Sequence, residues 1–232
     1  VREGVETLRA GWNPDPITSE TLPLAQLLEI HRQHPECSFR LMNLSTKSAI
    51  SMLSESPSSP MTSVCWWHLI TDSTLLSPTD FGWRVTPSLG SAQDRKALKG
   101  ALQKGLLTAV AVHAIPRDEK ESQLPPDQQT PGICGHHFVL PSLWNELVNK
   151  SNWSIEELWQ VLSFGPSQLL SLKEEILQCN SRRWLLFDPN AEWIQTRGGE
   201  NFSAATNQPW QGQKITGKII ACGLRSGEGL CD

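Results

Sequence analysis

Tyrosine is absent from this chain of 232 residues, and no apolar stretch is long enough to span a membrane. Buried aromatic surface must therefore come from ten tryptophans and six phenylalanines; tryptophan brings a large apolar body and a single N–H donor. No Lys/Arg-rich run occurs and the net charge is −4, so neither a nucleic-acid nor a membrane partner is expected. No C-x-x-C pair is found among Cys37, Cys65, Cys134, Cys179, Cys222 and Cys231. That spacing argues against a zinc ribbon or redox pair and predicts reduced, mostly buried thiols in a cytoplasmic protein. Residues 1–6 have no apolar core and no small-residue cleavage site, so no signal peptide is read there. Internal repeats and low-complexity tracts are also missing.

The length fits one domain, or one domain with a small appendage. Helical spacing is found over Leu22–Gln33, and Ser45 or Thr46 is placed to cap a helix running to about Leu53. A third helix starts at Ser91, with Asp94 three residues on, and stops at Gly105. Apolar-rich Ser38–Asn43, Met61–Trp67 and the shorter Trp83–Thr86 are strand candidates, and the apolar run Leu107–Val112 predicts a strand buried on both faces. Strands alternating with helices predict parallel β/α units. Pro116–Pro131 reads as a long loop. Helices follow at Ser142–Lys150, Ser154–Phe164, where Ser154 and Glu157 form a capping-box pattern, and Pro166–Leu172. Trp184–Phe187, Trp193–Gln195 and Ile215–Leu224 are β-like.

Four stretches carry a resemblance: Leu41-Met42-Asn43-Leu44-Ser45-Thr46, Val64-Cys65-Trp66-Trp67-His68-Leu69, Val85-Thr86-Pro87-Ser88-Leu89 and residues 109–117 (AVAVHAIPR). In order, spacing and apolar framing they resemble the second half of a dihydroorotase, a metal-dependent cyclic amidohydrolase. Gly132-Ile133-Cys134-Gly135 is similar to that family's substrate loop. Residues 185–193 (LLFDPNAEW), and Asn207-Gln208-Pro209-Trp210-Gln211-Gly212 followed by Gly217-Lys218-Ile219-Ile220, are similar to the segments that end such chains.

The resemblance implies an α/β fold: a partial TIM-like (β/α) barrel over 1–180, and a small C-terminal β segment over 181–232 resembling the family's β-sandwich. It also implies ligands at the C-terminal ends of the strands, and zinc that activates water against a cyclic amide. The family's opening H-x-H strand and carboxylated lysine have no counterpart, so only about four of the eight strands would be supplied. Within the matched half, Asn43 stands at a metal-binding His, Trp67 at another His, and Thr86 and Gly90 at a substrate-contacting Asn and Arg. His113 stands at the catalytic Asp and Arg117, a positive charge, at the closing His; His68 is retained. An amide is a poor zinc ligand beside imidazole, thiolate or carboxylate, and indole offers no lone pair.

The leading expectation is a catalytically inactive dihydroorotase-like protein of pyrimidine synthesis, with no cofactor, that self-associates or is a structural partner of aspartate transcarbamoylase. The alternative is a hydrolase that keeps zinc through His68 and His113. A third reading is a small-ligand module that grips a carboxylate with Arg117 and the 116–131 loop.

Several other groups read as structural. His136 and His137 are adjacent and point in different directions, and His31 and His34 lack a third ligand. The Trp66-Trp67 pair is expected to fill a former metal pocket rather than stack a ligand. Asp72, Asp80 and Asp188 are assigned to turns and caps. Ser45 lacks the G-x-S-x-G context of a nucleophile.

Overall fold

Each helix cap that is encoded within four residues forms. Thr46 Oγ1 accepts from the Ala49 N–H at 3.1 Å and opens α3 (Lys47–Glu55). Ser91 and Asp94 form a reciprocal capping box at the start of α5 (Ala92–Gln103), so the shorter Asp reaches where Glu is more usual. Ser154 and Glu157 do the same for α8 (Ile155–Trp159). The computed structural model describes residues 1–77, 81–125, 128–174, 176–195 and 204–223. Asp80, Leu224 and Cys231 lie outside them.

The remaining helices are α1 (Val5–Arg9), α2 (Thr18–Gln33), α4 (Trp67–Ile70), α6 (Glu119–Ser122), α7 (His136–Leu143) and α9 (Gly165–Leu169). Both α7 and α8 widen into π-helical turns, over Trp144–Asn149 and Gln160–Phe164. The strands are β1 (Arg40–Leu41), β2 (Met61–Cys65), β3 (Ala109–Ala111), β4 (Trp184–Ile194) and β5 (Lys214–Gly223).

The first three strands form a parallel sheet in the order β1-β2-β3, with Leu41 opposite Thr62 and Val64 opposite Val110. Helices α3 and α5 make the connections, as the alternating pattern predicts. Their apolar stripes (Ala49 and Leu53; Leu98, Ala101 and Leu102) are buried in the same core as Val64, Cys65 and Leu69. A second wall comes from Leu143, Leu147, Leu158 and Val161. Gly165 lets α9 lie directly on the sheet, since a Cβ there would overlap the Thr108 carbonyl oxygen. Beside this core, Glu146 collects Arg95, Lys99 and Lys150 at 2.6–3.2 Å.

Some sequence expectations need correction. Trp83–Thr86 is not a strand: Phe81–Trp83 forms a 3₁₀ turn, and the Arg84 carbonyl accepts from the Gly132 N–H at 2.7 Å instead of joining the sheet. The second strand stops at Cys65, because Trp66 already has helical angles and Trp67 opens α4. The 116–131 segment carries the short helix α6, capped by Asp118. Trp184–Phe187 and Trp193–Gln195, read as separate, belong to one strand up to Ile194; irregularities at 186/187 and 188/192 absorb Pro189 and Asn190. The thiols are not mostly buried: Cys37, Cys179 and Cys222 are exposed, Cys134 is intermediate and only Cys65 among the described ones is buried. They fall in turns and on an open ribbon rather than on core-facing positions.

That ribbon is the antiparallel pair β4–β5. Its inner half packs on α7 and its π-helical extension through Phe187 against Trp144 (5.2 Å between centroids) and Trp193 stacked on Phe138 (5.6 Å, 6°). Its outer half leaves Trp184, Leu186 and Ile220 exposed by 43%, 56% and 52%.

Candidate functional site

The C-terminal ends of β1, β2 and β3 converge on one set of side chains. Asn43 follows β1 in a left-handed conformation, φ 62°, which Asn tolerates better than most residues. Its amide oxygen lies 3.1 Å from His113 Nε2, which follows β3. An amide oxygen only accepts, so Nε2 carries the proton in this pair. Trp67 follows β2, is 1% exposed, and its ring centroid lies 6.1 Å from that of His113. Trp66, fully buried, donates its indole N–H to the His113 carbonyl at 3.0 Å.

From Trp66 an aromatic chain runs outward. Trp210 stacks on it at 5.6 Å, Trp83 meets Trp210 edge-on at 5.1 Å, and Phe138 lies 5.0 Å from Trp210. The residues that resemble a metal site in order are thus wrapped in indole. Aromatic pairs at such separations add about 0.5–1.5 kcal/mol each beyond area burial.

The other sequence-designated positions face elsewhere. His68 is 2% exposed, and its Nε2 lies 3.1 Å from the Pro87 carbonyl and 3.3 Å from that of Ser88. Both partners are acceptors, so Nε2–H is the donor. Burial pushes the His68 pKa down to about 4 against the opposing pull of those carbonyls. Thr86 lies between them and Arg84, in a cis peptide with Pro87. Gly90 rests on the start of α5, where a Cβ would press on the Asp94 carboxylate, and its carbonyl accepts from Ser73 N–H at 2.8 Å. Arg117 is 4% exposed; its guanidinium bonds the Gln129 side-chain oxygen, and burial lowers its pKa. Cys65, beneath the pair of indoles, is pushed up to about 12 by burial, so its thiol is inert at neutral pH.

These donors do not make a zinc site. Asn43 is bound to His113, Trp67 has no ligand atom, and His68 turns its Nε2–H to carbonyls. Among the described residues no three His, Cys, Asp or Glu side chains converge as a metal needs. His31 instead packs on Phe39, His34 pairs with Glu36, and His137 lies against Phe138 and Trp193. Asp72 caps the 73–75 turn and adds an ion pair to Arg95 at 2.9 Å; Asp188 accepts from the Asn190 and Ala191 N–H groups.

Two polar centres escaped sequence reasoning because their partners are distant in the chain. Arg2, 5% exposed, binds Asp15 and Glu20 at 3.1 Å and the Ser45 hydroxyl at 3.0 Å. Ser45 donates in turn to Glu20 at 2.9 Å, so its hydroxyl is held by a carboxylate and a guanidinium and no imidazole base activates it. Asn207, 3% exposed, accepts from the Arg117 N–H at 3.0 Å and donates to the Ile115 and Gly132 carbonyls at 2.7 and 2.9 Å. The only signal for Asn207 was its place in the Asn-Gln-Pro-Trp motif.

No protein-family model matches the chain. The probable dihydroorotase-like protein of Synechocystis is 32% identical over 234 residues, covering 95% of this chain and 51% of that one. The dihydroorotase of Chlorobaculum tepidum is 24% identical, covering 95% and 53%. Among solved structures, the L-hydantoinase (dihydropyrimidinase) of Arthrobacter aurescens superposes with a TM-score of 0.74 at 18% identity, covering 94% of this chain and 51% of that one. The inactive dihydroorotase-like domain of the CAD-like multifunctional protein of Chaetomium thermophilum gives 0.61 at 14%, covering 87% and 53%. No described helix is long and apolar enough to cross a membrane. The chain spans about half the length of the curated relatives it matches, and it is dihydroorotase-like in sequence and shares the fold of the cyclic amidohydrolases.

Proposed function

We propose that this chain is a non-catalytic dihydroorotase-like protein that serves pyrimidine synthesis in the cytoplasm as a structural subunit. The carrying observation is the fully buried Trp67 beside the Asn43–His113 hydrogen bond. An indole and an amide–imidazole pair occupy positions where the family resemblance places two histidines and the catalytic Asp. In this reading the parallel sheet and its helices (1–180) are the second half of a TIM-like barrel, and the β4–β5 ribbon (181–232) is part of a β-sandwich. The test is metal content of zinc-supplemented protein, with dihydroorotate hydrolysis assayed on the same sample. Zinc far below one equivalent and no turnover above the blank are expected. Near-stoichiometric zinc with turnover would overturn the reading and make His113 and His68 the first residues to mutate.

The structural role implies a partner, and aspartate transcarbamoylase is the one we propose. Sheet edges at β1 and β3, and the apolar outer half of a two-stranded ribbon, are templates for pairing, and a two-stranded sheet alone is only marginally stable. Light scattering is expected to give a mass above that of one chain, or one that rises when aspartate transcarbamoylase is added. A compact monomer indifferent to that enzyme would refute the proposal.

A further inference from the structure

A cleft of about 670 Å3 opens between residues 11–16 and 83–88. Of the seven positions designated by the family resemblance, only Thr86 lines it. Its volume suits a small molecule, since ligand sites commonly enclose roughly 300–1,000 Å3 with apolar walls and a few placed polar groups. Trp12, Trp83, Pro14 and Pro131 are among its apolar lining residues, and Thr86 and Ser88 among the hydroxyl-bearing ones.

The walls are set before anything binds. Trp83 is fixed by its edge contact with Trp210. The Pro87 and Ser88 carbonyls are fixed by the buried His68 Nε2–H. Asp15 holds Arg2 at 3.1 Å and accepts from Ser19 at 2.8 Å, Arg84 donates to the Gln129 carbonyl at 2.6 Å, and Val1 with its terminal ammonium completes that side of the cleft.

We propose that this cleft binds a planar ring compound, stacked on indole and hydrogen-bonded at its edge to Thr86 and Ser88. Indole and proline faces favour flat π surfaces, and hydroxyls both donate and accept. This differs from carboxylate recognition by Arg117, and it does not rest on the loss of catalysis.

The probe is quinolin-2-one, a flat bicyclic lactam, titrated into protein carrying ¹⁵N-labelled tryptophan. Saturable shifts of the Trp12 and Trp83 indole N–H signals are expected. The saturated, puckered decahydroquinolin-2-one should bind at least ~10-fold more weakly, the usual effect of losing one stacking contact. Trp12→Ala should weaken quinolin-2-one by about the same factor. If that variant melts early, Ser88→Ala is the second, milder probe of the hydrogen-bonding edge. Absence of saturation, equal binding of the flat and puckered compounds, or shifts confined to other tryptophans would overturn the assignment.

Discussion

Replacing Asn207 by alanine is expected to destabilise the fold by about 3–5 kcal/mol. One side chain satisfies three backbone groups from two segments: the Arg117 N–H, the Ile115 carbonyl and the Gly132 carbonyl. Its own backbone carbonyl also accepts from Cys134 at 3.1 Å. Alanine leaves those three groups without their partner inside the protein, at roughly 1–3 kcal/mol for each that water cannot reach. Equilibrium unfolding in urea, compared with wild type, measures the loss. A change below about 1 kcal/mol would mean that water or a shifted side chain takes over, and that Asn207 does not join these segments.

Acidification is the second large effect. His68 is held neutral in the fold with a pKa of about 4, while the unfolded chain protonates near 6.5. Below pH 6.5 the unfolded state therefore binds the extra proton, and stability falls with pH until the folded pKa is reached. Across that window the loss sums to about 3 kcal/mol, at 1.36 kcal/mol per unit. His137 is shifted in the same direction by partial burial and adds to the slope. Unfolding free energies at several pH values, for wild type and His68→Gln, separate the two. Glutamine can keep a donor towards the Pro87 and Ser88 carbonyls but takes no proton, so its profile should be flatter between pH 4 and 6.5. Parallel profiles would show that His68 is not the group that titrates.

Both effects arise from contacts that a linear reading cannot pair. Ser91 with Asp94 and Ser154 with Glu157 were legible because cap and partner sit three residues apart, and helical geometry brings them together whatever the tertiary fold. The α3 and α5 stripes were legible for the same reason. The parallel pairing of β1, β2 and β3 followed from alternation, but the ends of the strands did not. Residues 61–67 (MTSVCWW) read as one strand candidate, and nothing in the pattern marks the change at Trp66 from extended to helical backbone. Trp83–Thr86 has strand-like composition, yet its backbone is tied to Gly132, far along the chain. At the candidate site, motif order pointed to Asn43, Trp67 and His113, which the fold brings together. Composition could not reveal that Arg2 holds Ser45, or that Trp210 lies on Trp66; those are properties of the folded surface.

The Trp66–Trp210 contact also has a consequence for biosynthesis. Trp66 follows directly on the central strand, whereas Trp210 belongs to the last described segment. A chain emerging from the ribosome can assemble the parallel sheet and its helices long before Trp210 has been made. Until then one face of the Trp66 indole, and the Trp83 edge beyond it, have no aromatic cover. The nascent protein must carry that greasy surface for the whole interval between the synthesis of Trp66 and that of Trp210.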